Sequence, residues 1–258
     1  MNRNILIGFA TFLLIFASCT TQKQMVYLQN IDSAKAPDFF PNKQVDYQIQ
    51  NQDILYVKVS TLNEEVSNVI NNTSSSVSQQ NLYQTDASLY VNGYSVDKEG
   101  DIEMPVLGKI KVSGLTLKQA KDSLQLRADK YLKDATVILK LLSFKVTVVG
   151  EANHPGVYKN YNNQLTVLEA VGMAGDVSDY GDRKKVLVLR PEKEGVRTYR
   201  IDLTSTDILK SPAFYLQPND MVYIQPLKNK TFKNNMPSIQ IFLTGITTLI
   251  LVLNFIKK

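Results

Sequence analysis

The residues that could do chemistry in this chain are few. One cysteine, Cys19, and one histidine, His154, occur among 258 residues. A structural zinc site takes four Cys/His-type ligands, and thiol catalysis sets a histidine beside the cysteine, so neither fits that inventory. A lone cysteine also excludes a disulfide within the monomer, and no cofactor site is legible. The remaining candidates are the carboxylates Glu99, Asp101 and Glu103, because paired acids hydrolyse glycosidic bonds. These three alternate beside a tight turn at Asp97–Asp101, where solvated acidic side chains are the default. His154 precedes Pro155 in a turn and reads as a surface imidazole. The expectation is a protein that is not an enzyme.

What precedes Cys19 opens a different chemistry to it. Residues 1–18 carry a short positive start at Arg3, an apolar run from Ile5 to Phe16 too short to span comfortably, then small Ala17 and Ser18. This resembles a bacterial lipoprotein signal peptide, whose cysteine is diacylated and becomes the mature N-terminus. Phe16 departs from the aliphatic residue usual at its position. The alternative is a plain N-terminal anchor with an incidental cysteine. Acyl chains contribute about 0.8 kcal/mol per buried CH2, so two or three would hold the chain on a bilayer essentially permanently. Thr20 follows, with no aspartate there to direct inner-membrane retention. Residues 19–45 are polar, with Pro37 and Pro41, and read as a lipidated tether. The net charge of +5 is spread along the chain, which suits a solvated surface and not a nucleic-acid footprint.

The elements that follow must give this anchor something to hold. Tyr47, Ile49, Leu55, Val57 and Val59 alternate with polar residues, the period of a half-buried strand pair around a turn at Asn51–Asp53. Thr61 to Gln84 is dominated by Asn, Ser, Gln and Thr and reads as a long loop. Tyr90 to Met104 reads as a hairpin in which Gly100 supplies the turn's positive φ. Thr116 is the expected N-cap of a helix that gathers Leu117, Ala120, Leu124 and Tyr131 on one face. Ala135 to Leu142 reads as a buried strand. Phe144 to Tyr158 then reads as strand, turn and strand, completing one domain and opening the next.

Three of these stretches, YQIQNQDILYVKV, GYSVDKEGDIEMPVLGKIKVSGLTLKQA and VTVVGEANHPGVY, resemble the polysaccharide export (Wza-type) outer-membrane lipoproteins. In that family the first two belong to an export domain, and a VxGEVxxPG-like segment opens a soluble-ligand-binding β-grasp (SLBB) domain. Val148, Gly150, Glu151, Pro155 and Gly156 match that opening, and LTVLEAVGMAGDV at 165–177 matches its helix and glycine turn. The resemblance covers about residues 46–226, with one β-grasp unit where the best-known members carry two.

The second domain is also legible from its own residues. Thr166 caps a short helix that Gly172 and Gly175 help to end, VLVLR at 186–190 is a strand, 191–195 a turn, and VRTYRIDL pairs back. Pro218–Asp220 turns into a last strand, MVYIQP. After a basic linker at 227–237, residues 238–258 read as a membrane-spanning helix. Ile239 to Ile256 carries no charge and is about 27 Å long as a helix, against a hydrocarbon core of about 30 Å. Gln240, Thr244, Thr247 and Asn254 share one face, interrupted by Leu251, opposite Phe242, Ile246, Leu249, Leu253 and Ile256. A ring of such helices would turn the polar stripe toward water, so these four residues are the expected pore lining. The alternative is that they hydrogen-bond within or between packed helices.

The expected fold is thus α+β: an export domain at 46–143, an SLBB-like β-grasp domain at 144–226, and a C-terminal transmembrane helix. The resemblance implies a homo-oligomeric outer-membrane channel, lipid-anchored with most of the chain in the periplasm. Its substrate would be a capsular or exopolysaccharide, and its partner an inner-membrane polysaccharide co-polymerase with a tyrosine-kinase-like domain. The competing expectation is a non-pore envelope lipoprotein that binds a glycan or protein partner as a scaffold.

Overall fold

The computed structural model describes residues 25–31, 39–42, 45–71, 92–192, 194–228 and 239–256. The signal peptide expected at 1–18, Cys19, and the linker beyond Lys228 lie outside the described residues.

Among the described residues the first body contains β1 (Ile54–Ser60), α1 (Glu64–Ile70), β2 (Tyr94–Ser95), β3 (Asp101–Met104), β4 (Gly108–Lys111), α2 (Leu117–Ala128) and β5 (Thr136–Leu141). β1 sits between β2 and β5 in an antiparallel sheet, and its period-two pattern sends Leu55, Val57 and Val59 into the core. α2 opens on a capping box. The Gln119 N–H donates to the Thr116 hydroxyl at 3.2 Å, and the Thr116 N–H donates to the Gln119 side chain at 2.9 Å. Its buried face is Ala120, Leu124 and Ala128. Fully burying each large apolar side chain stabilises the fold by about 1.5–3 kcal/mol.

Several expectations for this body need correction. Ile49 is buried outside any strand, exchanging backbone hydrogen bonds with Gly114 and Leu115, because Asp53 accepts from the Gln50 N–H at 2.9 Å and turns the chain before β1. The turn at Asp97–Asp101 forms, with Gly100 at φ +87°, but β3 does not pair with β2. It pairs with β4 in a register set by Ile102 opposite Ile110, while β2 pairs with β1. The expected loop from Thr61 begins with helix α1, capped by the Asn63 side chain, which accepts from the Glu65 and Val66 N–H groups; residues 72–84 lie outside the described residues. β5 is an edge strand with Val137 buried and Ile138 exposed, not a fully buried one. α2 stops at Ala128, leaving Tyr131 outside the helix and 56% exposed.

The second body is built on β6 (Lys145–Gly150), β7 (Gly156–Lys159), α3 (Val167–Met173), β8 (Gly181–Glu192), β9 (Gly195–Ile201) and β10 (Met221–Pro226), with a 3₁₀ turn at Thr206–Lys210. The sheet order is β7-β6-β10-β8-β9, and only the first and last strands in sequence, β6 and β10, run parallel. The capping box of Thr166 and Glu169 starts α3, which buries Val167, Ala170 and Val171 in the core with Val146, Val148, Val188 and Ile224. Leu141 packs against both cores.

One described part of the stretch expected to be a tether is docked. Residues 25–31 dock on the second body, where the Leu28 and Gln29 N–H groups donate to the carbonyls of Leu203 and Thr204 at 3.3 and 2.7 Å. Tyr27 and Leu28 join that body's core.

Helix α4 (Ile239–Ile256) spans the expected 18 residues, and its described side chains are exposed. Among the described residues, no helix is long and apolar enough to cross a membrane.

Candidate functional site

The SLBB-like signature is a piece of backbone engineering. Gly150 ends β6 at φ +88°, and a Cβ there would collide with the Ile224 carbonyl oxygen. That close approach lets the Glu151 N–H donate to the same carbonyl at 3.0 Å. The following loop then grips the C-terminal turn of α3. The Asn153 N–H donates to the Asp176 carbonyl at 3.0 Å, the His154 N–H to the Ala174 carbonyl at 2.8 Å, and the Asn153 amide to the Gly175 carbonyl at 2.6 Å. The two signature segments, 150–156 and 172–177, are therefore one structural unit. His154 is exposed and contributes its backbone.

Asp176 ties the docked tether to this unit. Its carboxylate accepts from the Tyr27 hydroxyl and from the Val177 N–H, and Arg183 lies 3.4 Å away while stacking 5.5 Å from the Tyr27 ring centre. Burial pushes the Asp176 carboxyl up, but the hydrogen bonds from Tyr27, Val177 and Arg183 outweigh it and hold the group below its ordinary range. Burial and the bond to Asp176 push the Tyr27 phenol up to about 12.

Two carboxylates are buried among the described residues, one in each body. Asp53 accepts from the Tyr47 hydroxyl at 2.8 Å and from Ser143, in the β5–β6 connection, at 3.0 Å. Burial raises its pKa, partly offset by those bonds and the Gln50 N–H; burial and the neighbouring Asp53 likewise raise Tyr47. Asp220 receives a forked contact from Arg190, at 2.8 to 3.2 Å, and accepts from the Gln217 N–H at 2.8 Å. Arg190 also donates to the Tyr215 carbonyl at 3.1 Å and stacks 5.3 Å from the Tyr199 ring centre. Burial raises Asp220 despite Arg190. The sequence reading places Tyr47 on a strand face, Arg190 at a strand end, and Asp53 and Asp220 in turns, and gives none of them a buried polar role. The available signals were slight: an arginine ending the apolar run VLVLR and an aspartate in the Pro218–Asp220 turn.

The acidic trio stays apart from any such setting. Glu99 and Glu103 are exposed, and Lys111 donates to the Glu99 carbonyl rather than to a carboxylate. Among the described residues no group of three or more His, Cys, Asp or Glu could hold a metal ion. On α4, the Thr247 hydroxyl donates to the carbonyls of Leu243 and Thr244 at 3.0 and 2.9 Å, and the Thr248 hydroxyl to the Thr244 carbonyl at 2.8 Å. The helix thus brings Thr244 and Thr247 onto one face. The side chains of Gln240 and Asn254 lie outside the described residues.

Comparison with known proteins fits the division at the β5–β6 connection. Residues 41–142 match the family described as polysaccharide biosynthesis/export protein, and residues 144–224 match the SLBB domain. The chain is 32% identical over 110 residues to the EPS I polysaccharide export outer membrane protein EpsA of Ralstonia solanacearum, covering 41% of this chain and 29% of that protein. It is likewise 32% identical over 108 residues to the protein of the same name from Ralstonia nicotianae, covering 40% and 28%. The match spans less than a third of either relative.

Proposed function

The chain belongs to the polysaccharide export family with an SLBB domain, and from that premise we propose that it is a subunit of an outer-membrane channel passing capsular or exopolysaccharide out of the cell. The observation that carries this reading is the order of parts: an export domain, an SLBB domain directly after it, and then a helix with one polar face. The names of the family and of the relatives are those of an export protein and not of an enzyme.

In this reading identical subunits form a ring anchored by lipid on Cys19, with most of the chain in the periplasm. Helix α4 crosses the outer membrane only as a stave among copies. Gln240, Thr244, Thr247 and Asn254 then face a wet lumen, while Ile246, Leu249 and Ile256 face lipid or neighbours. An uncharged hydroxyl and amide wall suits polymer passage, because rings of cations would trap an acidic glycan. An inner-membrane co-polymerase with a kinase-like domain would feed the periplasmic end. The protein makes and breaks no bond.

One observation favours a second reading, a non-pore envelope scaffold that binds a glycan or protein partner. The Thr247 and Thr248 hydroxyls are satisfied by their own helix, so the stripe does not require water. Cysteine placed at Thr244, Thr247 and Leu249 and probed on whole cells with a membrane-impermeant thiol reagent separates the two. The channel predicts labelling at the two threonine positions and protection at Leu249. Equal protection at all three, with a single subunit on electron microscopy of detergent-extracted protein, supports the scaffold.

A further inference from the structure

A cavity of about 60 Å3 lies where the two bodies meet. Tyr47 and Leu141 line it from the first body, Phe144 from the connection, and Asn162, Tyr215 and Gln217 from the second. Among the described residues no charged side chain lines it. Among those described residues an anion or cation would find no charged partner, so the lining suits a neutral group.

The volume decides how much of a neutral ligand enters. One water needs about 10–15 Å3 of such space, so the cavity accepts roughly four to six water-sized atoms. A whole pyranose ring is too large. The carbonyl, nitrogen and methyl carbon of an acetamido group are the right size. Its methyl matches the Leu141 and Phe144 wall, and its N–H and C=O match carboxamides, which offer both a donor and an acceptor. Among the described residues neither the Asn162 nor the Gln217 carboxamide is engaged by another group.

The walls are fixed from behind. Arg190 holds the Tyr215 carbonyl and Asp220 holds the Gln217 N–H, while Asp53 holds the Tyr47 hydroxyl. Two residues of the wall are thus clamped by a buried ion pair that itself lies outside the cavity. Preorganisation of this kind favours binding, because less ordering is left to do.

We propose that this cavity between the bodies binds the acetamido group of an N-acetylated sugar unit of the polymer, the rest of the sugar lying at its mouth. The proposal rests on the export reading and names a feature of its substrate. The affinity for one monosaccharide falls in about the millimolar range, since so few atoms are buried.

Saturation-transfer NMR on the purified full-length chain in detergent tests it, with N-acetylglucosamine and glucose as probes. The expected result is transfer strongest at the acetyl methyl protons and none to glucose. Gln217→Ala and Asn162→Ala should each weaken binding about threefold to tenfold, the effect of one hydrogen bond. Leu141→Phe, which fills the cavity, should abolish it. Asn162 is exposed, so Asn162→Ala decides the matter if Leu141→Phe fails to fold. Equal transfer to glucose, ring protons exceeding the methyl, no transfer at all, or full binding by both alanine variants would each overturn the proposal. If the purified chain binds no N-acetylated sugar yet restores polymer secretion to cells lacking it, the cavity proposal fails and the export reading stands. If binding holds in cells that secrete equally well without the chain, the reverse is true.

Discussion

Among the described residues two carboxylates leave water, one in each body, and they are compensated in different ways. Asp53, 3% exposed, has three hydrogen-bond donors and, among the described residues, no cation in contact. Asp220, fully buried, has a forked arginine. Hydrogen bonds of either kind satisfy the oxygens. Only the ion pair makes a second buried charge depend on the first. The first body's acid can lose its charge with its bonds partly intact, whereas neutralising the second body's acid leaves Arg190 without its counter-charge.

The largest effect should therefore come from Asp220→Asn. It strands the Arg190 guanidinium in the core and should destabilise the second body by about 3–5 kcal/mol, seen as a lower urea midpoint. Asp53→Asn keeps an acceptor and most of the shape, so its cost should be about 1–2 kcal/mol, confined to faster hydrogen exchange in β1 and β5. Equal costs at the two sites would break the distinction.

Titration sharpens it further. The folded-state pKa of Asp53 lies above its unfolded value, so its contribution favours the fold in acid and is lost as pH rises through the folded pKa. Asp53→Asn should remove that slope near the acid end. Asp176 has the opposite sign. Its depressed pKa stabilises the docked tether above the ordinary carboxylate value, and that contribution fades as pH falls through the folded pKa. At the alkaline end Tyr27 ionises first in the unfolded chain, near 10, and in the fold only near about 12. Stability should therefore fall across that window, and the fall should shrink in Tyr27→Phe, followed by tyrosinate absorbance. The smallest effect should come from Glu192→Gln. Its partner Arg197 is exposed, and solvated pairs contribute little, so no shift in the unfolding midpoint is expected.

The second body was the more legible because its signals are local. Gly150, the Thr166 cap, the turn at 191–195 and the Pro218–Asp220 turn each state their own geometry, and alternation does the rest. The first body failed where partner choice is not local. The turn at Asp97–Asp101 was read correctly, yet nothing in those letters says that β2 pairs with β1 and β3 with β4. Helix α1 did leave a signal, Asn63 followed by two glutamates, but the Asn- and Ser-rich stretch after it masked the cap. The junction was the least visible part. A buried aspartate and a solvated one share a letter, and the docking of Tyr27 depends on a surface formed far along the chain. The cavity follows from that same junction and was not legible at all.

Docking of residues 25–31 decides where tension would be felt. Five residues lie between Cys19 and Met25, six backbone steps with a reach of at most about 21 Å. A leash attached at that cysteine would be moored to the β-grasp half of the molecule, although the export half comes first in the chain. Any pull from the bilayer would reach Asp176 and the glycine-framed loop before it reached β1, and the export half would ride on that mooring as cargo.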